Sequence, residues 1–236
     1  MIAFRGVAHS VQRHKKTIPI LSGTDFDFDL KRMGLVVGRE EQSEALIDLM
    51  VGNLLPEAGQ VLRLGRVSWP IGRLVQFRSE LSGRATVDFI CGLYGLNLRL
   101  AETFLFSLID FKHYYDQSIS KWPRMLNVEF GHAVVLLPDF DIYIAEGSII
   151  LGNPEFMERW SPRFEQRLAG RQLIMACNQA AYLSQFCRTV AVLQNGQLNR
   201  YSNVAEAMNA TTWVAPVSDL SGAGQQERME DDDGLV

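Results

Sequence analysis

Apolar and polar residues alternate with a period of two from Asp25 to Leu30, reading Asp-Phe-Asp-Phe-Asp-Leu, which predicts a half-buried strand. Three spaced aspartates also raise calcium, but alternation sets them on one side of the strand. No EF-hand glycine or terminal glutamate follows. A solvated face is the simpler expectation. Leu35 to Val37 then form a short apolar strand ending at Gly38, and Glu44 to Met50 carry helical spacing through Ala45, Leu46, Leu49 and Met50. The local organisation is strand, turn, helix.

Further along, Leu100, Phe104, Leu108 and Phe111 recur at steps of three and four, predicting an amphipathic helix of several turns between Leu96 and Gln117. Pro123 suits the first turn of another helix through Val128, Ala133 and Leu136, closed by Pro138. Ile142-Tyr143-Ile144 reads as a buried strand and Pro154 opens the next helix. Leu173 to Ala176 and Val190 to Leu193 continue the alternation of strands with helices, while Asn195-Gly196 is a strong hairpin-turn signal. Strands joined by helices imply a mostly parallel, covered sheet.

Composition changes this picture little. The 236 residues suit one α/β domain, no apolar run approaches a membrane-spanning length, and MIAFRGVAHS lacks the apolar core and cleavage site of a secretory signal. Cysteines 91, 177 and 187 are odd in number and lack metal-ligand spacing, so they are expected reduced and buried. The formal charge of -4 is concentrated in the tail, where Glu227, Glu230, Asp231, Asp232 and Asp233 stand against Arg228 alone. An acidic, disordered tail is expected, and the neutral body gives no basic excess to recommend nucleic acid.

The candidate chemistry begins at GREEQSEA, residues 38 to 45, which opens like the phosphate loop G-x-x-x-x-G-K-[ST] and then departs from it. His9, His14, His113 and His132 show no paired metal spacing, and no serine or cysteine sits in a nucleophile motif. Trp122, Tyr114 and Tyr115 suit either a partner face or the packing of a helical subdomain.

The order of elements resembles the ATP-binding subunits of ABC transporters, especially those exporting capsular and O-antigen polysaccharides. VVGRE with its following helix, LPEAGQVLRLGRVSWPIG (55–72), LSGRATVDFICGLYG (81–95), PDFDIYIAEG (138–147) and GRQLIMACNQAAYLSQFCRTVAVLQNGQL (170–198) carry the resemblance. It implies an α/β fold of ABC-ATPase type: a mostly parallel core sheet flanked by helices, an antiparallel β portion and a helical subdomain. The domain would span residues 1–210, with the subdomain at about 84–137 and residues 211–236 as a C-terminal extension.

Laid on the family's motifs, the catalytic positions are vacated. Gly38, Arg39, Glu40, Glu41, Gln42, Ser43, Glu44 and Ala45 fall on the phosphate loop, with Glu41 and Ser43 in place of glycines, Glu44 in place of lysine and Ala45 in place of the magnesium-holding hydroxyl. Exchanging attraction for repulsion at about 4 Å costs several kcal/mol at an effective dielectric near 20. A loss of about 4 kcal/mol turns a micromolar site into a millimolar one. Glu146 and Gly147 fall on the Walker B aspartate and catalytic glutamate, and Gly152 and Asn153 on the D-loop. Asn178 falls on the switch histidine, while Gln76 and Arg78 mark an ambiguous glutamine loop with Arg78 at the likeliest glutamine position. The signature that touches ATP across a dimer is replaced by Trp122, Pro123, Arg124, Met125 and Leu126, and no adenine-stacking aromatic stands near Val11.

The resemblance with these departures implies a pseudo-ATPase: no catalytic residue, no metal site, no cofactor beyond weak Mg-ATP, and a non-hydrolysing role beside a polysaccharide exporter. Expected partners are an ABC permease, an intact ATPase subunit, or both, as a homo- or heterodimer at the inner face of the bacterial cytoplasmic membrane. One alternative is an active subunit using Glu146, Arg39 or Arg78 with partner residues. Another is a scaffold or small-anion-binding module unrelated to transport.

Overall fold

A computed structural model of the chain describes residues 1–13, 16–73, 80–147, 149 and 152–211. The first strands, β1 (Ile2–Arg13) and β2 (Lys16–Phe28), pair antiparallel, and β4 (Ala58–Arg63) joins the other edge of β1. The Asp/Phe alternation lies at the end of β2, where Phe26 and Phe28 are buried. Its aspartates are engaged by protein groups: Asp25 accepts the Gly6 N–H, Asp27 pairs with Arg5, and Asp29 pairs with Arg200.

The second sheet contains β3 (Arg32–Val36), β5 (Ile142–Glu146), β6 (Gln172–Ala176), β7 (Thr189–Gln194) and β8 (Gln197–Tyr201). Its order is β5-β6-β3-β7-β8, parallel except for the β7–β8 hairpin. At the hairpin Asn195 and Gly196 take φ of 50° and 75°, the left-handed pair that a tight two-residue connection demands. Alternation divides these strands between two cores. Leu35, Ile144, Ile174 and Ala191 pack with the antiparallel sheet and α1 (Glu40–Val51), while Val36, Tyr143, Met175 and Val192 face the other helices.

That second core is covered by α2 (Gly83–Tyr94), α3 (Leu98–Leu108), α4 (Arg124–Val134), α5 (Pro154–Leu168), α6 (Ala180–Phe186) and α7 (Val204–Ala210). Pro154 is at the start of α5, as its fixed φ favours, and Asn153 caps it by accepting the Phe156 N–H at 2.8 Å. Among the described residues no helix is long and apolar enough to cross a membrane. The three cysteines are buried as free thiols. The acidic end lies outside the described residues.

Two expectations are corrected. The helix predicted through Phe111 stops at Leu108, because Ile109 turns extended at φ -127°, ψ 138°. Its buried stripe is Ala101, Leu105 and Leu108, leaving Leu100 71% exposed. LRLAETFLFSL is apolar on more than one side, so spacing alone does not choose the inward face. Secondly, α1 begins at Glu40, five residues before Ala45 opens its apolar stripe; the acidic residues Glu40 and Glu41 suit a first helical turn.

Candidate functional site

The resemblance places the site where β3, β5 and β6 end, and there the structure has an open cavity of ≈ 610 Å³. Gly38, Glu40, Ser43 and Glu44 line one side, Glu146 and Gly147 another, and Asn178 a third. Seven of the sequence-predicted positions are thus brought together by parallel strand ends and the helix after the first of them.

The phosphate-loop stretch is a loop only at Gly38 and Arg39. From Glu40 the chain is helical, and the N–H groups of Gln42 and Ser43 both donate to the Arg39 carbonyl at 3.1 Å. Glu40 and Glu41 place carboxylates in the first turn, at the helix's positive end, where an anionic ligand would be favoured. Ala45 turns into the core at 4% exposure, and Arg39, just before the helix, is exposed and caps nothing with its side chain.

The most consequential residue, Arg73, was not singled out by the sequence. Residues Val67 and Ile71 bridge in parallel to Ile142 and Ala145 beside β5, and this path delivers Gly72 and Arg73 to the cavity. Arg73 Nε donates to Glu146 Oε2 at 2.6 Å, Nη1 to Asp48 Oδ1 at 2.7 Å, and Nη2 to the Glu44 carbonyl at 3.4 Å. Ser43 Oγ donates to the other Glu146 oxygen at 3.4 Å. The three ion-pair side chains are 22%, 23% and 16% exposed for Arg73, Asp48 and Glu146. Burial acts to lower the Arg73 pKa, but hydrogen bonds and charge from Glu146 and Asp48 hold it above the ordinary arginine value. The arginine of this cavity therefore comes from outside the strands and α1, and it is already bound to carboxylates.

Gly147 follows β5 with φ of 69°, and its N–H donates to the Ala176 carbonyl at 2.8 Å. Asn178 clasps one peptide neighbour of the loop: its Oδ1 accepts the Val37 N–H at 3.2 Å and its Nδ2 donates to the Val37 carbonyl at 2.7 Å. An amide meets a donor and an acceptor at once, fixing the end of β3 against the end of β6.

Gly152 and Asn153 do not line this cavity. Asn153 donates through both its backbone N–H (2.9 Å) and its side chain (2.7 Å) to Oε1 of the buried Glu129 on α4. Gly152 has φ of 148°, and a Cβ there would stand 2.5 Å from Phe156. Gln76 and Arg78 lie outside the described residues. Trp122, which the resemblance set against the signature, is buried in the aromatic group of Phe111, Tyr115 and Phe130, with its Nε1 donating to the Gln117 carbonyl.

Compared with solved structures, this architecture is that of an ABC ATPase domain. It aligns with the ATP-binding subunit of an ABC transporter at a TM-score of 0.69 and 14% identity, covering 86% of this chain and 90% of that one. A dimeric ATP-binding cassette in a post-hydrolysis state, bound to ADP and Pi, aligns at 0.68 and 10% identity, covering 86% and 98%. The sequence relatives include proteins named for capsule polysaccharide export and polysialic acid transport. The chain is 22% identical over 208 residues to the ATP-binding protein BexA of Haemophilus influenzae, covering 88% of this chain and 96% of BexA. It is 24% identical over 177 residues to the polysialic acid transport ATP-binding protein KpsT of Escherichia coli, covering 73% and 79%. With the capsule polysaccharide export ATP-binding protein CtrD of Neisseria meningitidis serogroup B it shares 20% over 177 residues, covering 75% and 82%. No family model matches the chain.

Proposed function

We propose that this chain is a non-hydrolysing ABC-type partner or regulator in surface-polysaccharide export, held at the inner face of the cytoplasmic membrane by protein contacts. The pairing of Arg73 with both Glu146 and Asp48 carries this reading. A triphosphate seeking that guanidinium must displace two carboxylates, and a magnesium ion seeking Glu146 must displace Arg73 and Ser43. Neither competitor gains the usual lysine or metal-holding hydroxyl, and Gly147 offers no carboxylate to orient water. Weak Mg-ATP association is compatible with this account; turnover is not.

The active-subunit reading draws its support from the relatives, which are named as ATP-binding proteins, and from the retained cavity. Phosphate release by the purified chain, alone and co-expressed with an ABC permease, separates the two. Release at the level of a no-protein control supports a non-hydrolysing partner. Release above it, abolished by Glu146→Gln, supports an active subunit.

A further inference from the structure

Away from the strand-end cavity, sharing none of its lining residues, α3 and α5 border two adjoining cavities of ≈ 380 and ≈ 270 Å³, with Phe104 and Arg167 lining both. The first gathers Arg163, Arg167, Arg171 and Gln166 around one carboxylate, Asp139. Arg163 and Arg167 are one helical turn apart on the flank of α5, next to the inward-facing Phe164 and Leu168, and Arg171 follows at the entry to β6. Arg167 Nη1 meets Asp139 at 3.0 Å, while Arg171 meets Asp139 at 3.1 Å and Asp141 at 2.8 Å. Arg163 is spent differently, donating through Nη1 to the Arg159 carbonyl at 2.6 Å. Its charge therefore meets no carboxylate among these pairs.

The second cavity is the more apolar, walled by Leu96, Leu100, Ala101, Leu136 and Leu137, with Asn97 and Arg167 as its polar members. Its Leu100 is the side of α3 that the core leaves 71% exposed. Arginine excess beside an exposed apolar wall, joined through shared residues, matches a ligand carrying negative charge at one end and hydrocarbon at the other. We propose that this double cavity binds an anionic amphiphile: a phosphate monoester head among Arg163, Arg167 and Arg171, and a linear hydrocarbon body along Leu100 and Phe104. Guanidinium forks match phosphate oxygens in geometry, and the head's negative charge answers Arg163, the one positive charge left when Asp139 and Asp141 are set against the three arginines. The assignment is independent of whether the strand-end cavity holds nucleotide.

The test is calorimetric titration of the full chain with dodecyl phosphate below its micellar concentration, with inorganic phosphate and neutral dodecyl maltoside as separate arms. Dodecyl phosphate is expected to bind at least about tenfold tighter than either, the equivalent of roughly one charge-assisted hydrogen bond or a short buried chain. Arg163→Gln, which breaks no ion pair among the described residues, is expected to weaken dodecyl phosphate by about tenfold with an unchanged thermal midpoint. Leu100→Ser is expected to weaken dodecyl phosphate and leave inorganic phosphate unaffected. Equal binding of dodecyl maltoside would reveal surfactant adsorption and overturn the proposal. So would inorganic phosphate binding as tightly as dodecyl phosphate, or Arg163→Gln leaving the affinity untouched.

Discussion

Arg73 and Glu146, 73 residues apart in the chain, are joined Nε to Oε2 at 2.6 Å across the mouth of the strand-end cavity. Asp48 takes a second nitrogen of the same guanidinium at 2.7 Å. The arginine of this cavity and the carboxylate at the end of β5 are thus already paired with one another. The pair is partly shielded from water, so removing one member strands charge on the others.

Arg73→Gln should therefore destabilise the fold by about 1–3 kcal/mol, between the values for exposed and buried pairs. Equilibrium urea unfolding measures it. Adding Glu146→Gln to Arg73→Gln should recover part of the loss, because one stranded carboxylate is then neutral. A single substitution with no effect would show that the pairing contributes nothing to stability.

Asn178 bonds both the N–H and the C=O of the buried residue Val37. Asn178→Ala should cost about 1–3 kcal/mol by leaving them without that partner. Asn178→His, the residue type expected at that family position, should neither match the amide's two-point bond nor create phosphate release. Unfolding curves and a phosphate-release assay on the same samples check both halves.

Burial holds the His132 pKa below 6.5, against the opposing bond of its Nδ1 with the Val128 carbonyl. The folded state thus resists protonation more than the unfolded chain does. This contribution to stability is fully present above the unfolded value near 6.5 and is lost as pH falls through the lower folded value. Unfolding free energies measured from about pH 8 to pH 5 should fall with acidity, and His132→Phe should flatten that slope. A parallel slope in the variant would assign the acid loss to other groups.

Gly83 starts α2 directly beneath Trp122, where an added Cβ would stand 2.6 Å from the indole. Gly83→Ala should cost about 1–3 kcal/mol through overpacking. Trp122→Phe in the same chain should relieve part of that cost, so a double-mutant unfolding cycle is expected to be non-additive. Simple additivity would mean that the two positions do not press on one another.

Strand patterning was legible because the central strands alternate between two apolar cores, and the Asn195-Gly196 turn carries a backbone demand few other residues meet. The convergence of Gly38, Ser43, Glu146, Gly147 and Asn178 followed from the resemblance, which supplied the order of parallel strands. Arg73 was not legible. It is a lone loop arginine whose partners, Asp48 and Glu146, are brought to it only by the path of residues 67–71 along β5. Local apolarity likewise pointed to the wrong face of α3: the stripe read from Leu100 and Phe104 is as helical as that of Ala101 and Leu105, and tertiary packing selects the second. Asn153 was assigned by position to a nucleotide-associated loop, but its side chain serves the cap of α5 and the buried Glu129.

The most direct measurement is a calorimetric titration of the purified chain with ATP in excess magnesium. The account predicts no saturation below about millimolar nucleotide, with or without the metal. Saturation at micromolar ATP that requires magnesium and disappears in Glu146→Gln would contradict it.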